Sequence, residues 1–309
     1  MKILLQFPEG LKQKALEYVA QYENQAQVYL SSSKSFGGCD VAFDEAKAIG
    51  ADKIIHFGHA PFPLHKDRQC SIPVQYVEYY VDLKPEFVQM IVDNAKQYNT
   101  IALTSVVQHI KQFNEIKKMI EESGTKVLTA KGPKCHYEGQ CLGCDAVAGT
   151  SLEDKVDAVF FIGSGRFHYQ AFHKGLDVLK VPIYISNPYD NSVKDVSQDI
   201  KQYIKKRQGI VVKASEAKTI GILVSTRPGQ FNIELAEQIK DKLNNIKSKD
   251  KLNVQILVSR TIDPEALQDY NLFDAYINTA CPRIADDYEV IGKPIINVFE
   301  LDLFYELLS

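Results

Sequence analysis

The chain has 309 residues, 45% of them hydrophobic, enough for a sizeable buried core and too many for one sheet of ordinary size. Lys and Arg total 36 against 39 Asp and Glu, a formal net charge of −3 that argues against a nucleic-acid footprint. No stretch approaches the roughly 20 apolar residues of a membrane span, and the start of the chain lacks the pattern of a secretory signal, so a cytoplasmic location is expected. In that compartment the six cysteines are expected as thiols, which favours metal binding or catalysis over a disulfide frame.

Read in chain order, the predicted elements repeat three times. A first apolar strand is expected at Lys2–Phe7, Thr100–Ser105 and Thr219–Ser225. A helical stripe follows each: Leu11, Ala15 and Val19, then Ile110, Phe113, Ile116 and Ile120, then Ala236, Ile239, Leu243 and Ile246. Second strands are expected at Gln27–Leu30, Lys126–Thr129 and Asn253–Val258. The third strands align after an Asp (Asp52, Asp157, Asp274), and each runs into a loop of small residues. Pro73, Pro182 and Pro294 open the fourth strands, where a missing N–H is tolerated.

Strand–helix alternation predicts parallel sheets with right-handed crossovers. The expected fold is α/β, three small Rossmann-like domains arranged about a pseudo-threefold axis. Their expected limits are 1–96, 97–208 and 209–309, with boundaries near Asn94–Asn99 and in a polar stretch, Gln208–Lys218, that contains Gly209. The basic run Lys201–Arg207 reads as the solvated face of a helix. A single doubly wound domain with an appendage is the alternative.

Ligands bind beyond the carboxyl ends of parallel strands. Cys39 follows the second strand of the first repeat, Cys144 that of the second, and Cys281 the third strand of the third. Cys39 and Cys144 both stand in Gly-Cys-Asp, where the Asp is a candidate helix N-cap and the helix start would favour thiolate. Three readings of these residues remain open. The three thiols could converge on a cluster with one open iron. Cys135, Cys141 and Cys144, with His136 beside them, could hold zinc locally. All could be small buried residues, as Cys70 is expected to be. The spacing Cys-x5-Cys-x2-Cys is not the Cys-x3-Cys-x2-Cys of conventional radical S-adenosylmethionine enzymes.

Taken together, several motifs resemble one family. They are Phe7-Pro8-Glu9-Gly10-Leu11, Gly38-Cys39-Asp40, His56-Phe57-Gly58-His59-Ala60, and Gly139-Gln140 with Leu142-Gly143-Cys144-Asp145. Further on come Gly163-Ser164-Gly165-Arg166-Phe167-His168, Pro228-Gly229-Gln230 and Asn278-Thr279-Ala280-Cys281-Pro282-Arg283-Ile284-Ala285. The sequence is similar across its whole length to the archaeal-type diphthamide synthases. The resemblance implies a 4Fe–4S cluster held by Cys39, Cys144 and Cys281, with S-adenosylmethionine as substrate. It implies transfer of the 3-amino-3-carboxypropyl group to C2 of a histidine imidazole on translation elongation factor 2, with release of methylthioadenosine. A homodimer and an external electron donor are implied as well. Cys135 and Cys141 depart from the family pattern.

For substrate contacts, the loops after the third strands offer Gly163, Ser164, Gly165, Arg166 and Arg283 to a carboxylate. His59 and His168 occupy equivalent loops, where a substrate contact and a structural role are equally open. Gln230, at a predicted helix start, is a further candidate. A quinolinate synthase-like dehydratase also places one cluster cysteine in each of three domains, but Thr279-Ala280-Cys281-Pro282-Arg283 fits it less well. A non-catalytic zinc- or ligand-binding protein is the reading from another class.

Overall fold

A computed structural model describes residues 1–246 and 252–309. Its strands, in chain order, are β1 (Lys2–Gln6), β2 (Gln27–Leu30), β3 (Lys53–Phe57), β4 (Val74–Val77), β5 (Thr100–Ser105), β6 (Lys126–Leu128) and β7 (Ala158–Ile162). They continue with β8 (His173–Lys174), β9 (Asp177–Val178), β10 (Ile183–Asn187), β11 (Ser192–Asp195), β12 (Thr219–Ser225), β13 (Asn253–Ser259), β14 (Ala275–Asn278) and β15 (Ile295–Asn297). β8 and β9 form a separate two-stranded ribbon. The others build three sheets, ordered β2-β1-β3-β4, β6-β5-β7-β10-β11 and β13-β12-β14-β15. Each sheet therefore has the same first four strands in the same order, all parallel, and β11 adds one antiparallel edge strand to the second.

Central strands are apolar because both faces are covered. All five residues of β7 are buried. On one side Phe160 packs with Phe87, Ile91, Ile116 and Ile120 of the helices Pro85–Ala95 and Phe113–Glu122. On the other, Val159 and Phe161 pack with Ile200 and Ile204. Burying side chains of this size contributes roughly 1.5–3 kcal/mol each. The first and third sheets are likewise covered by two clusters each.

The recurrent Asp and Pro have structural reasons. Asp52 accepts the Lys2 N–H at 2.7 Å, Asp157 those of Asn99 and Thr100, and Asp274 those of Lys218 and Thr219. In every sheet the Asp before the third strand thus ties down the start of the first. Pro73, Pro182 and Pro294 each offer a carbonyl to the third strand, at 3.0 Å from Ile54 N, 2.9 Å from Val159 N and 2.8 Å from Tyr276 N.

The polar stretch at 208–218 is not all connecting chain: the helix Ser197–Ala214 enters it and ends within it. Ile200 and Ile204 at its start belong to the core of the second sheet, while Ile210, Val211 and Ala214 belong to that of the third. The apolar stripe that continues through 210–214 outweighs the single Gly209, which costs a helix only about 1 kcal/mol. Nor is Lys201–Arg207 a wholly solvated face. Lys201, Lys205 and Lys206 are exposed, but Arg207 is buried and donates to both carboxylate oxygens of the equally buried Glu300.

Candidate metal centre

Each of the three sheets sends one cysteine loop toward a common cavity. Cys39 lies on the loop after β2, pinned by the buried Gln6. The Gln6 Nε2 donates to the Asp40 carbonyl at 2.6 Å, and its Oε1 accepts the Ala42 N–H at 3.0 Å. His56 Nδ1 lies 2.8 Å from the same Oε1, so Nδ1 carries the proton. In the neutral ring Nε2 is then bare and accepts from His59 Nδ1, 2.9 Å away. Burial holds both rings neutral, lowering His56 to about 3 and His59 to about 4. Gly38 is required as glycine, since a Cβ would stand 2.6 Å from the Ala60 carbonyl oxygen.

Cys144 sits at the tip of a tight turn. Leu142 and Asp145 exchange two main-chain hydrogen bonds, at 2.8 and 3.0 Å, around Gly143 and Cys144. The Asp145 carboxylate accepts the Lys134 and Val147 N–H groups. Gln140 Oε1 accepts those of His136 and Tyr137, and the main chain of 139–141 bonds to Ser105 at the end of β5. Cys281 follows β14. Asn278 Nδ2 donates to its carbonyl at 2.8 Å and to Asn297 Oδ1 at 2.8 Å. A buried amide side chain therefore fixes each loop.

Cys39, Cys144 and Cys281 line one cavity of about 160 Å³ together with Lys134, Gly229 and Gln230. Burial pushes each of the three thiols up to about 11, and each feels the charge of another of the set. The third sheet closes the cavity over the first through the segment 227–230. Gly229 N donates to the Cys39 carbonyl at 2.8 Å, and a Cβ on Gly229 would meet Cys39 Cα at 2.7 Å. Arg227 pairs with Asp40 at 3.3 Å, bonds Thr261 at 2.9 Å and lies 3.9 Å over the Phe36 ring. Arg260 reaches Asp40 at 3.5 Å and Asp44 at 2.7 Å.

The Gly-Cys-Asp pairs do not cap helices as expected. The helix after Cys39 is Phe43–Ile49, beginning too far along the chain for Asp40 to cap it, and Asp40 is committed to the two arginines. Asp145 does accept the Val147 N–H, while the residue before the short helix Val147–Thr150 is Ala146. Burial, not a helix start, dominates the environment of these thiols.

The candidate residues fall into two groups. Gln230 joins the three cysteines, its Nε2 3.4 Å from Cys39 Sγ. Ser164, Gly165, Arg166, His168 and Arg283 line a separate cleft of about 810 Å³. A pocket of about 230 Å³ adjoins both, sharing Lys134, Cys144 and Pro282 with the cysteine cavity and Phe167, Gln170 and Tyr203 with the cleft. Gly163 is buried beneath the cleft, bonded to the Ser186 carbonyl. His59 lines neither cavity and braces the Cys39 loop through His56. His168 is held by the Ser164 carbonyl at 3.1 Å. The sequence reading missed Lys134, Arg227 and Asn278, although Asn278 stands within a motif that drew attention for its neighbours and Arg227 directly precedes another.

The placement of the thiols bears on the choice between one ion and a cluster. Among the described residues, the trio of ligand atoms lying within 4.8 Å of one another is His65, Asp67 and Glu234, not any three cysteines. A tetrahedral zinc with thiolates at about 2.3 Å brings its sulfurs closer together than that. Cys141 lies in the core of the second sheet and Cys135 is buried, so neither the local run nor the three gathered thiols is arranged for a single ion. Thiols on separate loops around a shared cavity suit a polynuclear centre, whose ligands hold different metal atoms.

Fold and site together define a class: a parallel α/β protein in which three like-ordered sheets each deliver one thiol to a shared interior cavity. Comparison narrows it. The family model of diphthamide synthesis proteins matches residues 7–308, and the chain belongs to that family. It is 30% identical to the 2-(3-amino-3-carboxypropyl)histidine synthase of Pyrococcus horikoshii over 312 residues, covering 99% of this chain and 86% of that protein. The synthase of the same name from Methanocaldococcus jannaschii is 26% identical over 323 residues, covering 98% and 84%. The crystal structure of Dph2 from Pyrococcus horikoshii with a 4Fe-4S cluster superposes with a TM-score of 0.84 at 26% identity, covering 99% of this chain and 86% of that one.

Proposed function

We propose that this chain is a 2-(3-amino-3-carboxypropyl)histidine synthase. It transfers the 3-amino-3-carboxypropyl group of S-adenosylmethionine to C2 of a histidine imidazole on translation elongation factor 2 and releases methylthioadenosine. The observation that carries this reading is the meeting of Cys39, Cys144 and Cys281, from three sheets, at one cavity. These residues would hold a 4Fe–4S cluster, and the donor set fits it: three thiols from three sheets at one cavity, on loops each fixed by a buried amide. When bound and reduced, such a cluster supplies the electron that cleaves the bond between the sulfonium sulfur and the γ-carbon.

The chain's own residues bind and orient. Arg166 and Arg283, with the small-residue loop at Ser164 and Gly165, offer donors to a carboxylate in the large cleft, while Gly163 is spent on the Ser186 carbonyl beneath it. His168 stands beside them. His59 orients the Cys39 loop through His56 and Gln6. Lys134 places a positive charge beside Cys144. A pocket that shares lining residues with both the cavity and the cleft lies beside Cys144.

We assign the domains as 1–96, 97–208 and 209–309, the second limit falling inside the helix Ser197–Ala214. The protein works as a homodimer in the cytoplasm with an external one-electron donor; among the described residues no helix is long and apolar enough to cross a membrane. The test is anaerobic. Protein loaded with iron and sulfide, reduced with dithionite, is incubated with S-adenosylmethionine and elongation factor 2. Methylthioadenosine and a 3-amino-3-carboxypropyl mass increase on one histidine are expected. Their absence with an intact cluster overturns the reading.

A further inference from the structure

Gln230, in the loop after the first strand of the third sheet, hydrogen-bonds a cysteine of the first sheet. Its Nε2 lies 3.4 Å from Cys39 Sγ, and the residue is only 8% exposed. A cysteine sulfur that ligates metal can only accept, so the N–H end of the amide must face it. The Oε1 end is thereby fixed as well. That oxygen is buried and receives no hydrogen bond, although Gln230 lines the cysteine cavity. A buried acceptor without a donor costs about 1–3 kcal/mol, a penalty relieved when a donor arrives.

The segment is not free to turn the amide around. Gly229 N bonds the Cys39 carbonyl, Gln230 N bonds the Arg227 carbonyl at 2.9 Å, and Arg227 pairs with Asp40 next to Cys39. Main chain, ion pair and amide therefore grip the same cysteine from one short stretch.

We infer that Gln230 is a positioning residue with two contacts, its N–H holding the Cys39 sulfur and its Oε1 accepting from the α-ammonium group of the sulfonium donor. This rests on the proposed function. The amino-acid end of S-adenosylmethionine carries one cation and one anion. An amide oxygen repels the carboxylate and accepts from the ammonium, so Oε1 sets which of the two groups on that α-carbon faces Gln230. The N–H contact acts on the metal centre itself, because hydrogen bonds to ligand sulfurs raise the reduction potential by favouring the more negative state.

The experiment uses the full chain, loaded with iron and sulfide under anaerobic conditions, as wild type, Gln230→Leu and the nearly isosteric Gln230→Met. Reduction midpoints are measured by redox titration followed by electron paramagnetic resonance. Both variants are expected to titrate lower by at least tenfold in the reduction equilibrium, about 59 mV for a one-electron couple. Binding to the oxidised protein is measured by calorimetry with S-adenosylmethionine and with its analogue lacking the α-amino group. Wild type is expected to prefer the amine by tenfold or more, and both variants to lose that preference. An unchanged midpoint overturns the sulfur contact, and an unchanged preference overturns the ammonium contact. A wild type that binds neither compound sinks the proposed function instead, while the midpoint still tests the sulfur contact.

Discussion

Arg207 and Glu300 lie 93 residues apart and meet as a buried bidentate pair, with Nε to Oε1 at 2.6 Å and Nη2 to Oε2 at 2.7 Å. The guanidinium also donates to the carbonyls of Ala285 and Ile295, and Glu300 accepts the Asn297 N–H at 2.6 Å. Asn297 in turn bonds Asn278, which bonds the Cys281 carbonyl. The pair thus anchors the loop that carries the third cysteine.

Removing one partner leaves the other charge buried and unmatched. Arg207→Ala is expected to lower stability by about 3–5 kcal/mol. Urea unfolding followed by circular dichroism measures it; a change below 1 kcal/mol refutes the anchoring role.

Asn278→Ala frees the Cys281 carbonyl and the Asn297 amide while leaving the cysteine in place. Outer partners of metal ligands typically contribute roughly 10–100-fold in affinity. A loss of that size in iron retention against a chelator is expected, with the far-ultraviolet spectrum unchanged. Retention equal to wild type would show that Asn278 is dispensable.

Substituting Ser for Cys39, Cys144 or Cys281 in turn is expected to abolish the brown colour and the bound sulfide of the reconstituted protein. Cys70→Ser and Cys135→Ser are expected to keep both, since neither residue lines the cavity. Cluster loading equal to wild type after losing any one of the three would disprove the ligand set.

Adding one methyl group at Gly229 drives it against Cys39 Cα at 2.7 Å and Cβ at 2.6 Å. Backbone has to shift, at a cost of about 1–3 kcal/mol. Gly229→Ala is expected to load less iron than Gly209→Ala, where a new Cβ meets nothing within 4 Å. Equal loading would exclude a close approach of the first and third sheets here.

Acid should loosen the Cys39 loop. His56 and His59 have folded pKa values of about 3 and 4, below the ordinary 6.5, because burial disfavours their charged forms. As pH falls through 6.5 the unfolded chain takes up protons that the folded chain refuses, so stability is full above about 6.5 and declines toward pH 4. Urea midpoints should fall over that window, and His56→Gln with His59→Gln should flatten the fall. An unaltered slope in the double variant would refute the assignment.

Much of the architecture was legible in the sequence because the threefold pattern rests on main-chain needs. Asp52, Asp157 and Asp274 each satisfy N–H groups that open a first strand, and such roles leave the same residue at the same place in every repeat. The gathering of Cys39, Cys144 and Cys281 at one cavity was legible through their position at strand ends. Arg207 was not. A basic residue in a run of lysines reads as solvated, and only the distant Glu300 makes burial tolerable. The continuity of Ser197–Ala214 was hidden for a similar reason: polar residues on its outer face masked an inner stripe shared by two cores. The separation of the arginine-lined cleft from the cysteine cavity depends on how loops from different sheets pass one another, which local pattern does not encode.

The helix Ser197–Ala214 contributes hydrophobic residues to two neighbouring cores along one rigid rod. Unwinding the whole rod exposes apolar surface in both, so the parts of the chain on its two sides should lose structure in a single cooperative step.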